Sequence, residues 1–193
     1  MSVTLVLASS SRFRRALLER LGLPFESIAP DVDETPNPGE APLALAQRLA
    51  LAKARAIAPR RPTALIIGSD QVAVYADTIV GKPRDHAEAV RQLRAASGRK
   101  VVLYTALVLL NAATNRVQSE VVPFGIQFRP LTDAQIENYL RKEQPYDCTG
   151  SVKSEGLGIA LLERFEGDDP NALVGLPLIR LIRMLENEGV AVL

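Results

Sequence analysis

Apolar and polar residues alternate in blocks along the first half of the chain, and each block has the length of a strand or a helix. The short apolar run Val3 to Ala8 predicts a buried strand, and a helix capped by Ser10 or Ser11 follows to about Leu21. An Ala- and Leu-rich helix is predicted for about Pro42 to Ala58. This alternation indicates an α/β fold, in which loops at strand ends carry the chemistry.

The middle and the end of the chain continue the sheet. Leu65 to Gly68 predicts a short buried strand that ends at Ser69-Asp70-Gln71, and Val72 to Val80 predicts a hairpin. Two long strand patterns flank Asn111 to Arg116, so a second hairpin should extend the sheet. Further helices are predicted at about Ala87 to Ala96, Thr132 to Lys142 and Pro177 to Glu188. Thr132 and Gln135 resemble a capping box at the start of the second of these helices. The Pro-rich segment Pro30 to Pro42 predicts an irregular surface loop.

Composition narrows the classes of function. The 193 residues suit one domain, residues 1–193, and a net charge of +1 gives no sign of binding to nucleic acid polymers or membranes. One cysteine and one histidine exclude an internal disulfide and a zinc cluster. No apolar stretch approaches the roughly 20 residues of a spanning helix. We therefore expect a cytoplasmic protein.

A basic, hydroxyl-rich segment lies where the first predicted strand gives way to a helix. Ser9-Ser10-Ser11 precedes three arginines in four residues, Arg12, Arg14 and Arg15. Backbone N–H groups at a helix start, together with hydroxyls and guanidinium groups, suit a chain of phosphates. The alternative is a capped surface helix with a solvated basic face.

A second set of candidates combines carboxylates and lysines from separate segments. Glu34 lies in the Pro-rich loop, Lys53 on a helix, Asp70 after a buried strand, and Lys82 between Gly81 and Pro83. Hydrolysis of a phosphoanhydride uses a hard cation held by carboxylates, positive charges on the phosphate oxygens, and a carboxylate that deprotonates water. Each residue also has an ordinary interpretation as a loop charge, a helix lysine or a turn residue.

The late Gly-rich stretch, Gly150 to Gly158, carries Glu155. A carboxylate there can accept from both N1–H and the exocyclic amine of guanine, although an exposed loop glutamate is the simpler interpretation. No P-loop, dinucleotide-binding glycine motif or nucleophile elbow occurs in the sequence. We expect His86 to face solvent and Cys148 to be an idle thiol.

Taken in order, these segments resemble the Maf family of nucleotide pyrophosphatases. The segments that carry the resemblance are Leu7 to Leu18, Asp33-Glu34-Thr35, Ala52-Lys53-Ala54, Gly68 to Gln71, Gly81-Lys82-Pro83, Gly150 to Gly158 and Asn171 to Pro177. The resemblance covers nearly the whole chain. It implies an elongated α/β fold with a mixed sheet flanked by helices, a cleft between two lobes as in inosine triphosphate pyrophosphatases, and a homodimer.

The resemblance also implies roles for individual residues. Asp70 matches the proton-accepting carboxylate of the family, and Glu34 with Asp70 would hold a divalent cation, Mg²⁺ or Mn²⁺. The positions that match triphosphate-binding residues are Ser9, Arg14, Lys53 and Lys82. The expected reaction is attack of water at the α-phosphorus of a nucleoside triphosphate, with release of pyrophosphate.

Three positions indicate which nucleotide is cleaved. Phe13, Gln71 and Glu155 resemble the subgroup that hydrolyses 7-methyl-GTP to 7-methyl-GMP and pyrophosphate. In that subgroup Pro usually stands at the position of Arg12, and Trp often stands at that of Phe13, so this chain departs at both. The alternatives are a dTTP/UTP pyrophosphatase of the same family and a nucleotide-binding regulator of cell division that does not turn over its ligand.

Overall fold

The computed structural model describes residues 4–75 and 78–193 and shows a mixed α/β fold. The strands are β1 (Leu5–Leu7), β2 (Phe25–Ser27), β3 (Leu65–Tyr75), β4 (Thr78–Val80), β5 (Lys100–Asn111), β6 (Arg116–Phe128) and β7 (Leu162–Glu166). The α-helices are α1 (Arg12–Glu19), α2 (Pro42–Ile57), α3 (His86–Ala96), α4 (Asp133–Glu143), α5 (Pro170–Val174) and α6 (Leu178–Glu186). Each predicted helix is present, and α5 is an additional short one.

The strands form one mixed sheet in the order β2-β1-β3-β5-β6-β7, with β4 paired to β3. β1 is parallel to both of its neighbours, and Leu5 lies opposite Phe25 on one side and Leu65 on the other. β4 is antiparallel to β3, and β7 is antiparallel to β6. β5 and β6 are also neighbours in the sheet and are joined by residues 112–115, so both predicted hairpins are present. Residues 76 and 77 of the first hairpin, and Val3 of the first predicted strand, lie outside the described residues.

The chain divides into two compact units. The first contains the residues up to Gln71, Thr105–Val122 and the residues from Asp169 onward. Its hydrophobic core joins α1 and α6 to β1, β3 and β5, and the buried side chains include Leu7, Leu18 and Leu181. The length of α1 follows from its caps, because the Ser11 hydroxyl accepts from the Arg14 N–H and the chain turns soon after Glu19.

The second unit contains Val72–Tyr104 and Pro123–Asp168. Here α3 and α4 pack on each other, and Phe124 in β6 packs against Phe165 in β7 with ring centroids 5.8 Å apart. The predicted capping box of α4 is present: the Thr132 hydroxyl accepts from the Gln135 N–H, and the Gln135 side chain accepts from the Thr132 N–H. The single domain, the cleft and the dimer that the resemblance implies stay predictions.

The prediction for the third strand was wrong in one respect. Ser69-Asp70-Gln71 does not follow a strand end, because β3 continues without a break to Tyr75. The polar side chains of these three residues all have hydrogen-bond partners within the first unit. Buried polar groups are tolerated inside a sheet when they are satisfied in this way. Asp70, a predicted site residue, therefore lies within a strand and not in a loop.

None of the helices formed by residues 4–75 and 78–193 has the length and apolar character that a membrane crossing requires.

Candidate active site

A buried lysine lies between two carboxylates in the first unit. Lys53 Nζ donates to Asp70 Oδ1 at 2.6 Å and lies 2.7 Å from Glu34 Oε1. Lys53 and Asp70 are 6% and 8% exposed, whereas the Glu34 side chain is 61% exposed. Since a charge can be buried this deeply only when it is paired, Asp70 is the partner that stabilises Lys53. The structure thus brings Glu34, Lys53 and Asp70 together.

The burial of Lys53 follows from a close approach of α2 to β3. An ideal Cβ atom at Gly68 would lie 2.1 Å from the Ala50 carbonyl oxygen and 3.1 Å from the Ala54 Cβ. Only glycine allows this separation. Lys53 lies on the same buried face of α2 as Ala50 and Ala54. Its ammonium group therefore reaches Asp70, which lies two residues after Gly68 in β3.

The residues on either side of Asp70 point to the opposite face of the sheet, because side chains alternate along a strand. The Ser69 hydroxyl lies 2.8 Å from the Ala106 carbonyl and 2.9 Å from the Gly175 carbonyl. The Gly175 carbonyl also accepts from Arg14 Nε at 2.8 Å. Gly175 has φ +107°, a conformation that other residues rarely adopt. The turn after α5 therefore anchors Arg14 to the strand that carries Asp70.

Gln71 extends the same attachment. Its Nε2 donates to the Thr105 hydroxyl at 2.9 Å, to the Ala172 carbonyl at 2.8 Å and to the Leu173 carbonyl at 3.2 Å. The Thr105 hydroxyl, which is fully buried, donates to the same Ala172 carbonyl. Gln71 was predicted to bind substrate. In the structure its amide nitrogen holds α5 in place.

The start of α1 presents a hydroxyl and a guanidinium group. The buried Ser9 hydroxyl accepts from the Ser11 N–H at 3.1 Å. Burial holds the pKa of Arg14 below its usual value, and the negative charges of Asp70 and Glu34 offset only part of this shift. The guanidinium group stays protonated at neutral pH because its ordinary pKa is so high. Arg14 therefore supplies a positive charge near the carboxylates of Asp70 and Glu34.

Phe13 does not present a bare ring. The guanidinium carbon of Arg12 lies 4.8 Å from the centroid of the Phe13 ring, which is the geometry of a cation–π contact. Phe13 itself is partly buried. A positively charged guanidinium group therefore already lies over one face of the aromatic ring that was predicted to bind a cationic base.

Two predicted site residues belong to the second unit. Lys82 is exposed and follows Gly81, whose carbonyl accepts from the Gly150 N–H at 3.1 Å and from Gln92 Nε2 at 3.2 Å. The first bond joins the segment of Lys82 to the start of the Gly-rich stretch, and the second joins it to α3. Glu155 is also exposed, in the same Gly-rich stretch.

His86 and Cys148, which were predicted to have no role in catalysis, also belong to the second unit. The His86 ring contacts the Tyr146 hydroxyl at 2.9 Å and the Glu137 carboxylate at 3.1 Å, and it is partly exposed, as predicted. Burial raises the pKa of Cys148 to about 12, so its thiol is protonated at neutral pH.

Comparison with known proteins places this chain in a family. A family model described as Maf-like protein matches residues 4–188. The chain belongs to the Maf family. The Maf protein named 7-methyl-GTP pyrophosphatase in Nitrosococcus oceani is 60% identical over 190 residues, which are 98% of this chain and 96% of that protein. A protein of the same name in Thiobacillus denitrificans is 59% identical over 100% of this chain and 96% of its own length. Another in Methylobacillus flagellatus is 58% identical over 98% of this chain and 98% of its own length.

The sequence analysis missed residues that hold Arg14 and Asp70 of the candidate site in place. Ser69 and Thr105 were not assigned a function, and the segment Asn171 to Pro177, which contains Gly175, carried the resemblance without a role. One signal was available, because Thr105 interrupts an otherwise apolar strand. A hydroxyl in a fully buried strand needs a hydrogen-bond partner, and that partner is α5.

The two carboxylates of the candidate site, Glu34 and Asp70, suit a hard divalent cation. Within the described residues there is no group of three or more His, Cys, Asp or Glu side chains that could hold a metal ion. Glu34 and Asp70 nevertheless supply carboxylate oxygens that contact the same Lys53 nitrogen, so they lie close together. Mg²⁺ is commonly held by one or two carboxylates, with water and substrate phosphates as its other ligands. The oxygen donors present therefore fit Mg²⁺ or Mn²⁺.

Proposed function

We propose that this protein is a nucleoside triphosphate pyrophosphatase that hydrolyses 7-methyl-GTP to 7-methyl-GMP and pyrophosphate. The observation that carries the proposal is the buried Lys53, held between Asp70 and Glu34 with Arg14 in the same local field. Paired carboxylates and cations in one place are what cleavage of a phosphoanhydride needs. The names of relatives that are 58–60% identical over nearly the full chain support the choice of substrate.

In this proposal Asp70 accepts a proton from the attacking water. The water oxygen bonds to the α-phosphorus, the bond from that phosphorus to the α–β bridging oxygen breaks, and pyrophosphate leaves with the electron pair. Ser9 donates to a phosphate oxygen, while Arg14, Lys53 and Lys82 offset the charge of the triphosphate and of the leaving group. Glu34 and Asp70 would hold Mg²⁺ or Mn²⁺, which supplies further charge neutralisation when bound.

The choice of base is assigned to Phe13 and Glu155. Stacking of a base on an aromatic ring contributes roughly 1–3 kcal/mol. The positive charge of 7-methylguanine adds a cation–π attraction of roughly 0.5–2 kcal/mol. Glu155 would accept from N1–H and from the exocyclic amine, two donors that a pyrimidine does not offer in this arrangement. Gln71 acts through α5 and Thr105, to which its amide nitrogen is bonded.

The test is release of pyrophosphate from a panel of nucleotides with Mg²⁺ or Mn²⁺. We expect the highest kcat/KM for 7-methyl-GTP, a lower value for GTP, and the lowest values for dTTP and UTP. Asp70→Asn should reduce kcat by at least roughly 100-fold, the usual minimum contribution of a general base, while nucleotide binding is retained. Equal rates on all nucleotides would refute the specificity, and full activity of Asp70→Asn would refute the mechanism.

The cellular setting is part of the proposal. We propose that the protein acts in the cytoplasm and that it is a homodimer. Light scattering after size-exclusion chromatography measures the mass directly, and a mass of one 20.9 kDa chain would refute the dimer.

A further inference from the structure

The carboxylate of Glu143, the last residue of α4, contacts the loop that carries Glu155 at two points. Glu143 Oε1 accepts from Lys153 Nζ at 2.6 Å, and Glu143 Oε2 accepts from the Leu157 N–H at 2.6 Å. The two donors lie two residues before and two residues after Glu155. One side chain therefore holds the loop on both sides of the residue that reads the base in the proposed function.

The loop is closely packed around this carboxylate. The Lys153 carbonyl accepts from the N–H groups of Gly156 and Gly158, both at 3.1 Å. An ideal Cβ at Gly156 would lie 2.7 Å from Glu143 Oε2, and one at Gly158 would lie 2.4 Å from the Lys153 carbonyl oxygen. Gly156 therefore lets the backbone come this close to the Glu143 carboxylate, and Gly158 lets the loop close on the Lys153 carbonyl.

Burial distinguishes the two glutamates. The Glu143 side chain is 12% exposed and that of Lys153 is 29% exposed, whereas Glu155 is exposed. Hydrogen bonds from Lys153 and from the Leu157 N–H lower the pKa of Glu143, so it is ionised at neutral pH. The Lys153 N–H donates to the Tyr139 hydroxyl at 3.0 Å, which adds a second attachment of the loop to α4. Charged hydrogen bonds in a partly desolvated place hold geometry firmly.

We infer that Glu143 is a positioning residue that sets base specificity: it fixes the Lys153–Leu157 loop so that the Glu155 carboxylate is presented at the angle that accepts two donors of a guanine edge. This inference rests on the proposed function. Glu143 touches neither substrate nor reacting atoms. Loss of its two hydrogen bonds frees the loop, and a freely moving carboxylate accepts from two donors at once only part of the time.

The test compares two substrates that differ in one donor. 7-Methyl-ITP has the N1–H of 7-methyl-GTP and lacks the exocyclic amine, so the ratio of kcat/KM between the two reports on the contact that Glu155 makes to that amine. We expect Glu143→Ala and Glu155→Ala each to lower this ratio roughly tenfold, the effect of losing a charged hydrogen bond. Glu143→Gln keeps an acceptor for the Leu157 N–H and loses the charge opposite Lys153, so its ratio should fall less.

The control is Glu137→Ala, on the same helix, where the carboxylate contacts His86 and not the loop. Its ratio should equal that of the unchanged protein. If Glu143→Ala does not fold, Lys153→Met removes one of the two bonds and should also lower the ratio, by a smaller factor.

A merely structural role predicts a different result, because loss of folded protein lowers both rates equally and leaves the ratio unchanged. An unchanged ratio in Glu143→Ala or Lys153→Met, with active protein present, overturns the inference and leaves the proposed function intact. An unchanged ratio in Glu155→Ala overturns it as well, since there would be nothing to position. No hydrolysis of any nucleotide by the unchanged protein would refute the proposed function itself.

Discussion

Replacing Lys53 by methionine should expose the central electrostatic interaction of the first unit. Methionine fills most of the volume of the lysine stem, so the main change is loss of the charge that pairs with the buried Asp70. Breaking a buried ion pair by removing one partner costs roughly 3–5 kcal/mol. The 11% exposure of the Asp70 side chain places the expected cost near the lower end, at about 3 kcal/mol. For a chain of this size that corresponds to a fall in Tm of roughly 6–12 °C.

The double variant Lys53→Met, Asp70→Asn gives the decisive comparison. It removes both charges, so it should recover about 2 kcal/mol relative to the sum of the single variants. The same cycle on Lys53 and Glu34 should give a coupling of no more than about 1 kcal/mol, because the Glu34 side chain is 61% exposed and water screens it.

The measurement is the free energy of unfolding from urea denaturation of the four proteins in each cycle, followed by circular dichroism. Equal couplings for the two carboxylates would refute the argument, since it derives the difference from burial alone. A cost below about 0.5 kcal/mol for Lys53→Met would also refute it, because changes of that size are usual for exposed positions.

Two further predictions concern Arg14 and Phe13. Gly175→Ala should cost roughly 1–3 kcal/mol of stability, measured by urea denaturation, because Gly175 has a positive φ. It should also raise KM, because the new Cβ would lie 3.3 Å from Arg14 Nε. The control is Gly189→Ala, at φ +78° with open space around it, which should lose stability and keep its KM. Arg12→Ala removes a guanidinium group that competes with a cationic base for one face of the Phe13 ring. The ratio of kcat/KM for 7-methyl-GTP to kcat/KM for GTP should therefore rise. An unchanged ratio would mean that Arg12 does not compete with the base.

The sequence was sufficient for the elements that local signals define. The sequence offered Ser10 or Ser11 as the N-cap of α1, and the cap is Ser11; the predicted capping box of Thr132 and Gln135 is also present. In both patterns the partners lie within three residues. The hairpin around residues 112–115 is likewise a local feature. Helix and strand boundaries that depend on such contacts can be predicted because their cause is contained in the segment itself.

The attachments of the site could not be predicted, because their partners are far apart in the chain. Gly175 lies 161 residues after Arg14, and Ala172 lies 101 residues after Gln71. The misplaced end of the third strand has the same origin. Three consecutive polar residues usually end a strand, and only distant partners make them compatible with the interior of a sheet.

The hydrophobic core decides which way Asp70 faces. Leu65 and Ile67 lie in the core formed with α1 and α6, so the alternation along β3 places Ser69 on that same side. Gly68 packs against α2 on the other side, and Asp70 follows it there to Lys53. A slip of one residue in the pairing of β3 with β1 would exchange the two sides and put a residue with a Cβ atom where Gly68 now meets the Ala50 carbonyl. The close approach of α2 at Gly68 thus fixes the register that brings the carboxylate to its lysine, and the geometry of the site is a consequence of the packing that stabilises the fold.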